Sequence, residues 1–250
     1  MASLALARRV FRRLTTQAFS EAELIQQHFA RRRGGTMIDV GAHFGESHRP
    51  YLDRGWHVVA FEPDPSNRSR ISTSHGAGML DLLECAVGEQ PLADAAFYAS
   101  DESTGVSTLV PFIASHKPVC RVQVRTLDDV CHERRITRCD FLKIDTEGHD
   151  LFVLRGFPWA RMQPEVILCE FEDRKTQPLG YDYRALGEFL TARGYAVFLS
   201  EWNPIERYGG QHTWRRAVRY PAPLLDERSW GNFMAFRQGV NVPRALATAA

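Results

Sequence analysis

The chain has 250 residues, and its 44% hydrophobic content is enough for one substantial core, so we expect a single α/β domain. The 31 Lys and Arg residues nearly balance the 30 Asp and Glu residues, and the formal net charge is +1. A charge this small creates no global field that would hold a polyanion. Nucleic acid is therefore not favoured as a partner.

The cysteines are odd in number, form no CxxC pair and stand mostly in apolar surroundings, at Cys85, Cys120, Cys131, Cys139 and Cys169. This usage is typical of buried thiols in a reducing compartment. No run approaches the roughly 18 apolar residues of a membrane span, and the start of the chain lacks the apolar region of a secretory signal. We therefore expect a cytoplasmic protein without a transmembrane segment.

Arginines and apolar side chains are mixed at the start of the chain, with basic residues at Arg8, Arg9, Arg12 and Arg13. The mixture predicts a helical arm over residues 1–33, which either packs on the domain or touches a membrane or partner. We favour packing. The main domain is expected over residues 34–240, followed by a disordered tail over 241–250.

Short apolar runs alternate with longer amphipathic stretches, which is typical of a parallel sheet with crossover helices. Seven strands are predicted, at Thr36–Val40, His57–Glu62, Leu80–Glu84, Asp140–Ile144, Glu165–Phe171, Ala196–Leu199 and Asn232–Phe236. Two further β-like pieces, near Ala96–Ala99 and Val119–Val124, are expected to form a hairpin or an edge.

Helices are predicted at Ser20–Arg33, His149–Leu154 and Tyr183–Arg193. The last is the clearest, because its apolar residues recur at helical spacing and Gly194 follows as a cap. The stretch from Trp202 to Trp230 has no clean period, and we predict a functional loop there.

The first strand runs directly into a glycine-rich turn with the pattern D-x-G-x-x-x-G from Asp39 to Gly45. Glycines allow a backbone to approach a ligand closely, and a following helix adds N–H donors. Dinucleotide dehydrogenases prefer G-x-G-x-x-G instead. An acidic residue at this strand end suits a ligand ammonium, such as that of S-adenosylmethionine, directly or through water.

Glu62 ends the second predicted strand, 23 residues after Asp39. A carboxylate there can accept both hydroxyls of a ribose, each bond contributing roughly 1.5–3 kcal/mol. Because open α/β sheets bind ligands beyond the carboxyl ends of their strands, Cys85, Ala86 and Val87 would flank an adenine. The alternative is that these three are only a buried strand end.

The chain resembles the FkbM family of S-adenosylmethionine-dependent methyltransferases from about Thr36 to Arg237. The matching stretches are 38–45, 60–63, 85–88, 126–129, 141–148 and 153–156, of which Lys143-Ile144-Asp145-x-Glu147-Gly148 is the most specific. The chain departs from the commonest pattern at His43, where Asn is frequent, and at Asp150, where Glu is more usual.

This resemblance implies a Rossmann-like class I methyltransferase fold with a mostly parallel seven-stranded sheet whose last strand is antiparallel. It implies methyl transfer, usually to oxygen, on sugars, glycolipids, antibiotics or other hydroxylated metabolites. The expected cofactor is S-adenosylmethionine, held by Asp39, Gly41, His43, Gly45, Glu62, Cys85 and Ala86.

Asp145 ends the strand that contains Lys143 and faces the same edge as Glu62, so it is our first candidate for the base or for orienting the acceptor hydroxyl. Glu147 and His149 follow in the turn and are the other catalytic candidates, unless they only form the turn and cap the next helix. Lys143 is expected to make a structural ion pair with a carboxylate.

A metal site is the less favoured alternative for the carboxylates Asp145, Glu170, Glu172 and Asp173. Strand alternation puts Glu170 and Glu172 on one face, so only part of this set would converge, and we expect no metal.

The small-molecule or glycan acceptor is expected near two polar or aromatic stretches, Ser103–Thr108 and Trp202–Trp214. The second stretch brings together Tyr208, Gly209, Gly210, Gln211 and His212. An NAD(P)-dependent oxidoreductase or a silent nucleoside-binding module are the competing functions. The glycine spacing and the lack of a Tyr-x-x-x-Lys pair disfavour the first, and the intact carboxylates disfavour the second.

Overall fold

A computed structural model of the protein describes residues 19–73 and 78–247. Residues 1–18 of the predicted arm and 248–250 of the predicted tail lie outside the described residues. The helices are α1 Glu21–His28, α2 Arg49–Leu52, α3 Pro65–Arg68, α4 Leu127–Glu133, α5 Asp150–Arg155, α6 Asp173–Thr176, α7 Tyr183–Ala192 and α8 Arg244–Ala247, with a 3-10 turn at Gln177–Leu179.

The strands form two sheets. They are β1 Thr36–Val40, β2 His57–Phe61, β3 Met79–Leu83, β4 Ala86–Val87, β5 Leu92–Ser100, β6 His116–Arg125, β7 Phe141–Ile144, β8 Val166–Glu172, β9 Tyr195–Trp202, β10 Trp214–Arg219 and β11 Trp230–Arg237. Within the described residues the large sheet has eight strands in the order β10-β9-β11-β8-β7-β1-β2-β3.

The pairing from β8 through β7, β1 and β2 to β3 is parallel, and β11 runs antiparallel to both β8 and β9. All seven predicted strands are present, and the α/β architecture implied by the resemblance, including its antiparallel last strand, is confirmed. The predicted strand count of seven is corrected to eight.

The additional strand, β10, lies within Trp202–Trp230, which we predicted to be a loop. It pairs antiparallel with β9 at the edge of the sheet. An edge strand with one neighbour can carry charged side chains, and here Arg215 and Arg216 both pair with Glu201. The arginines hide the period-two pattern that would have predicted the strand.

The small sheet has the order β4-β6-β5. Its main element is the antiparallel pair β5 and β6, so the hairpin predicted between the third and fourth strands is confirmed and is longer than expected. Ala86, Ala95, Phe97, Val122 and Val124 form its own buried apolar cluster. The small sheet therefore has a core separate from that of the large sheet.

The two faces of the large sheet are both covered, which explains why its central strands are continuous apolar runs. In β1, Ile38 and Val40 face the cluster under α4, α5 and α7, whereas Met37 faces the cluster under α1. Trp56 and Phe29 are fully buried in the second cluster and meet edge to face at 5.1 Å. The strand ends are thus fixed from both sides.

Both described ends of the chain pack on the same face of the large sheet. Ile25 of α1 and Leu246 of α8 are buried in one apolar cluster. The predicted helix Ser20–Arg33 ends earlier, at His28. In the stretch 241–247, which belongs to the predicted tail, Leu246 is buried and Val242 is partly buried against this cluster.

No helix among the described residues is long and apolar enough to cross a membrane. All five cysteines are free, and four of them are buried, in agreement with their apolar sequence surroundings.

Glu21 fastens α1 to β9. Its Oε1 accepts hydrogen bonds from the hydroxyl of Ser200 at 2.6 Å and from the indole N–H of Trp202 at 2.7 Å. Glu21→Ala is expected to lower the free energy of unfolding by about 1–3 kcal/mol, because both donors lose their acceptor. Urea denaturation measures this loss.

Glu23→Ala is the matched control, since it removes the same charge from an exposed position of the same turn. Its effect should stay below about 0.5 kcal/mol. Equal losses in the two variants would show that the contact of Glu21 with β9 is not what holds α1.

Candidate active site

A cavity of about 240 Å³ opens at the carboxyl ends of β1, β2 and β7, under a loop that follows β5. Eight of the ten predicted site residues line it, namely Gly41, His43, Glu62, Cys85, Ala86, Asp145, Glu147 and His149. Asp39 and Gly45 do not. The parallel strand ends thus bring together residues that are more than a hundred positions apart in sequence, such as Gly41 and His149.

Gly41 forms the turn that brings β1 against the end of β7. Its φ is +79°, and an added Cβ would overlap the carbonyl oxygen of Asp145. The N–H groups of Gly41 and Ala42 both donate to the carbonyl of Phe61, at 3.0 Å. Glycine is needed here for the turn and for the close approach of two backbones, so ligand access is not its only role.

Asp39 lies behind the cavity wall and is fully buried. Its carboxylate meets the ring Nδ1 of His48 at 2.8 Å and the ammonium of Lys143 at 3.2 Å. Burial alone would raise the pKa of Asp39, but Lys143 and His48 outweigh it and lower that pKa. The ammonium that we expected Asp39 to meet on a ligand is here supplied by Lys143.

Gly45 also supports the turn rather than the cavity. Its φ is +83°, its N–H donates to the carbonyl of Ala42 at 2.8 Å, and an added Cβ would press on the ring of His48. Because His48 binds Asp39, the second glycine of the motif keeps the buried pair in place.

Glu62 lies at the cavity wall and is 4% exposed. Its two oxygens accept from the backbone N–H of His43 at 2.7 Å and of Asp64 at 2.9 Å. Burial raises the pKa of Glu62 to about 7, against these two donors. Each oxygen keeps a second lone pair, so the carboxylate has the capacity to accept two ligand hydroxyls.

His43 contributes backbone as well as ring to the cavity. Its φ of 51° aims its N–H at Glu62, its ring stacks on Phe44 with centroids 3.6 Å apart, and its Nε2 lies 3.0 Å from the hydroxyl of Thr104. Burial lowers the pKa of the His43 ring. The residue thus links the glycine-rich turn to the loop above it.

That loop belongs to the predicted acceptor stretch Ser103–Thr108, from which Thr104, Gly105 and Ser107 line the cavity. Asn67 supports the loop by donating from Nδ2 to the carbonyl of Thr104 at 3.0 Å. Sequence reasoning missed Asn67. The available signal was Asp64 followed by Pro65, which marks the start of the short helix that carries Asn67. The carboxylate of Asp64 caps this helix and also accepts from the hydroxyl of Ser107 at 3.0 Å.

The other predicted acceptor stretch, Trp202–Trp214, contributes no residue to the lining of this cavity. Tyr208 is buried, and its hydroxyl donates to Glu172 at 2.9 Å. The aromatic residue therefore supports a carboxylate beneath the site instead of offering its ring to a ligand there.

Asp145 lines the cavity with 46% of its side chain accessible, and its Oδ2 lies 3.5 Å from Lys143 Nζ. Lys143 also donates to the carbonyl of Gly41 at 2.8 Å. Burial disfavours the charge of Lys143, but Asp39 and Asp145 more than compensate and raise its pKa. The structural ion pair predicted for Lys143 is present.

Glu147 faces a different cation, Lys175. The ammonium of Lys175 is 2% exposed and lies 2.6 Å from Glu147, 3.0 Å from Glu170 and 2.9 Å from Glu172. Burial raises the pKa of Glu147 to about 7 although Lys175 opposes the shift, and burial also raises that of Glu170. Sequence reasoning missed Lys175, whose spacing of three residues from Glu172 was the available signal.

Three carboxylates, Asp145, Glu147 and Glu170, have oxygens within 4.8 Å of one another, close enough to hold a metal ion. The ammonium of Lys175 already places a positive charge against two of them. Glu172 joins this cluster, but Asp173 instead accepts from the backbone N–H of Tyr183 at 2.7 Å. Of the four carboxylates considered as metal ligands, only part of the set converges, as the strand alternation predicted.

His149 has its Nδ1 buried without a hydrogen-bond partner among the described residues, and its ring lies 5.3 Å from that of Phe152. Burial lowers the pKa of His149 to about 4, so the imidazole is neutral at physiological pH. His149 occupies the N-cap position of α5, but its side chain makes no capping hydrogen bond there.

An α/β sheet with a glycine-rich first turn and a carboxylate at the end of the second strand defines a domain for a nucleoside-containing cofactor. The family model of the Methyltransferase FkbM domain matches residues 39–197. The chain therefore belongs to the FkbM family of S-adenosylmethionine-dependent methyltransferases, which confirms the resemblance read from its motifs. No curated protein matches the chain.

Solved structures give weaker likenesses. A precorrin-6Y C5,15-methyltransferase from Geobacter metallireducens is 13% identical over 88% of this chain and 93% of its own, with a TM-score of 0.45. A TehB-like SAM-dependent methyltransferase from Corynebacterium glutamicum is 10% identical over 94% and 96%, with a TM-score of 0.42. Likeness at this level is no basis for assigning an activity.

Gly41→Ala is expected to melt at a clearly lower temperature than Gly180→Ala. Both glycines have a positive φ, so each substitution carries the cost of a left-handed residue, about 1–2 kcal/mol. At position 41 the new Cβ would also overlap the backbone of Asp145, whereas nothing lies within 4 Å of a Cβ at position 180. Scanning calorimetry compares the two, and similar melting temperatures would show that the turn can move away from β7.

Proposed function

We propose that the protein transfers a methyl group from S-adenosylmethionine to a hydroxyl of a small-molecule or glycan acceptor, such as a sugar, a glycolipid or another hydroxylated metabolite. The observation that carries the proposal is that one cavity is lined by both kinds of residue the reaction needs. We assign Gly41, Glu62 and Ala86 to the cofactor, and Asp145 and His149 to the acceptor.

The residues of the cofactor part fit a nucleoside. Glu62 has lone pairs free for two ribose hydroxyls, and Cys85 and Ala86 provide a mostly apolar wall of the kind an adenine packs against. When bound there, S-adenosylmethionine supplies an activated methyl group. Gly41 and His43 line the wall towards Asp145, so they are assigned to the methionine end.

The acceptor part needs a group that orients the hydroxyl and takes its proton. Asp145 lines the cavity at the end of β7, with 46% of its side chain accessible. Glu147 is paired with Lys175 and is 8% exposed, which makes it the weaker candidate. Asp145 is therefore assigned to the acceptor hydroxyl, and the loop 103–108 to covering the acceptor and excluding water.

Adenosine affinity is expected to fall about tenfold between about pH 8 and pH 6, because protonation of Glu62, with a pKa of about 7, removes the charge that accepts the ribose hydroxyls. Adenosine has no group that titrates in this range. Adenosine affinity is therefore lost as the pH falls through the pKa that Glu62 has in the ligand-free protein. Isothermal titration across this range measures it.

Glu62→Gln is the control for that titration. It should bind adenosine about tenfold more weakly than the wild type at pH 8, and its affinity should no longer depend on pH. If the variant kept the pH dependence, the titrating group would be another residue and the ribose assignment of Glu62 would be wrong.

Asp145→Asn is expected to lower turnover by about two to four orders of magnitude while the affinity for S-adenosylmethionine changes little. Release of S-adenosylhomocysteine in the presence of a panel of alcohols and amines measures turnover, with and without EDTA. Asp129→Asn, the same change at an exposed position, is the control.

Methylation of amines alone would overturn the assignment to oxygen. Retained turnover with weakened cofactor binding in Asp145→Asn would instead place Asp145 in the cofactor site. A loss of wild-type activity in EDTA would point to a metal held by Asp145, Glu147 and Glu170.

A further inference from the structure

A second cavity, of about 740 Å³, adjoins the candidate active site. It lies between the small sheet and the start of α5. Leu109 and His149 line both cavities, so the two are neighbours across these side chains. We call this second cavity the side chamber and define it by Leu92, Tyr98, Val110, Phe152 and Leu179, together with those two shared residues.

The side chamber exposes apolar side chains that a folded protein ordinarily buries. Leu92 is 53% exposed and Val110 is 36% exposed, and both are among the few large apolar residues left accessible in the described structure. Covering apolar surface contributes about 25 cal/mol per Å², so a ligand with an apolar body would gain by binding there. An exposed apolar surface next to an active site typically binds part of the substrate.

The charged residues of the side chamber are already paired. Asp94 accepts from Arg121 at 2.8 Å, and Glu89 lies 3.3 Å from Arg155. No lysine, arginine or unpaired carboxylate is among the residues that line it. The chamber therefore offers apolar contact without a counter-charge, which suits an uncharged group.

The position of His149 connects the chamber to the chemistry. His149 lines both cavities, and Asp145 lies four residues earlier, directly after β7. A molecule whose body fills the chamber would extend past His149 to place a hydroxyl in the cavity of Asp145. A free sugar would leave the chamber's apolar surface uncovered.

We propose that the side chamber binds the apolar part of the acceptor, so that the substrate is an alcohol or glycoside with an uncharged alkyl or aryl body. This proposal rests on the methyl transfer to oxygen proposed above. It narrows the acceptor from any hydroxylated metabolite to one with an apolar portion, and it assigns substrate selection to Leu92, Val110 and Leu179.

Binding of N-phenyl-1-naphthylamine, an uncharged fluorophore that brightens in apolar surroundings, tests the chamber without any turnover. The wild type should bind it saturably, and octyl β-D-glucoside below its micellar concentration should displace it, whereas methyl β-D-glucoside should not. Val110→Asp should weaken binding about tenfold or more, because it puts a charge in the chamber.

Val119→Asp is the matched control, since Val119 is 50% exposed on β6 and does not line the chamber. It should bind the fluorophore as the wild type does. Absence of saturable binding by the wild type, or equal binding by the two aspartate variants, would overturn the proposal.

Release of S-adenosylhomocysteine with the two glucosides separates this proposal from the function on which it rests. We expect a higher kcat/KM for the octyl glucoside in the wild type and a loss of that preference in Val110→Asp. Equal turnover of both glucosides would refute the chamber's role but leave methyl transfer to oxygen intact. Fluorophore binding displaced by octyl glucoside, with methylation of amines only, would refute the oxygen acceptor but leave the chamber as a binding site.

Discussion

The ammonium of Lys143 holds together the carboxyl ends of the two central strands, and the cavity depends on it. It donates to the carbonyl of Gly41 and lies within 3.5 Å of Asp39 and Asp145. A buried lysine tends to lose its proton, but the two carboxylates keep this one charged. Removing Asp39, the buried carboxylate nearest this ammonium, would break a buried ion pair, which costs about 3–5 kcal/mol. The glycine turn and the end of β7 are thereby fixed relative to each other.

A second buried lysine, Lys175, likewise compensates the charges of buried carboxylates beneath the cavity. Lys175 compensates Glu147, Glu170 and Glu172, and the hydroxyl of Tyr208 donates to Glu172. Between them the two lysines pair with Asp39, Asp145, Glu147, Glu170 and Glu172. Of these five carboxylates, Asp145 lines the cavity with 46% of its side chain accessible. Its availability is thus a consequence of how the deeper charges are paired.

The central strands and the motif residues could be predicted because their signals are local. Continuous apolar runs mark strands buried on both faces, and Glu62 and Asp145 each end such a run. The sequence did not predict that Asp39 is buried against His48 and Lys143, because these two partners come from other elements. The edge strand β10 was missed because its arginines balance a buried glutamate instead of following an apolar pattern. Lys175 was missed because only the fold shows which carboxylates surround it.

Under the proposed function, the cofactor and the acceptor are recognised by different parts of the fold. The part of the cavity that we assign to the cofactor is built mainly on the ends of parallel strands, whose backbones are locked by hydrogen bonds and by the contact of Gly41 with Asp145. The part that we assign to the acceptor is covered by the loop after β5 and adjoins the small sheet, which has its own apolar cluster. Ala95 and Val124 of that cluster line the side chamber, whereas Ala86 of the same cluster lines the active-site cavity. Changes at Ala95 or Val124 can therefore alter the shape of the side chamber. The side chamber shares Leu109 and His149 with the active-site cavity but does not reach Asp145 or Glu62. Under our proposals, the surface that selects the acceptor can therefore vary while these two carboxylates keep their positions.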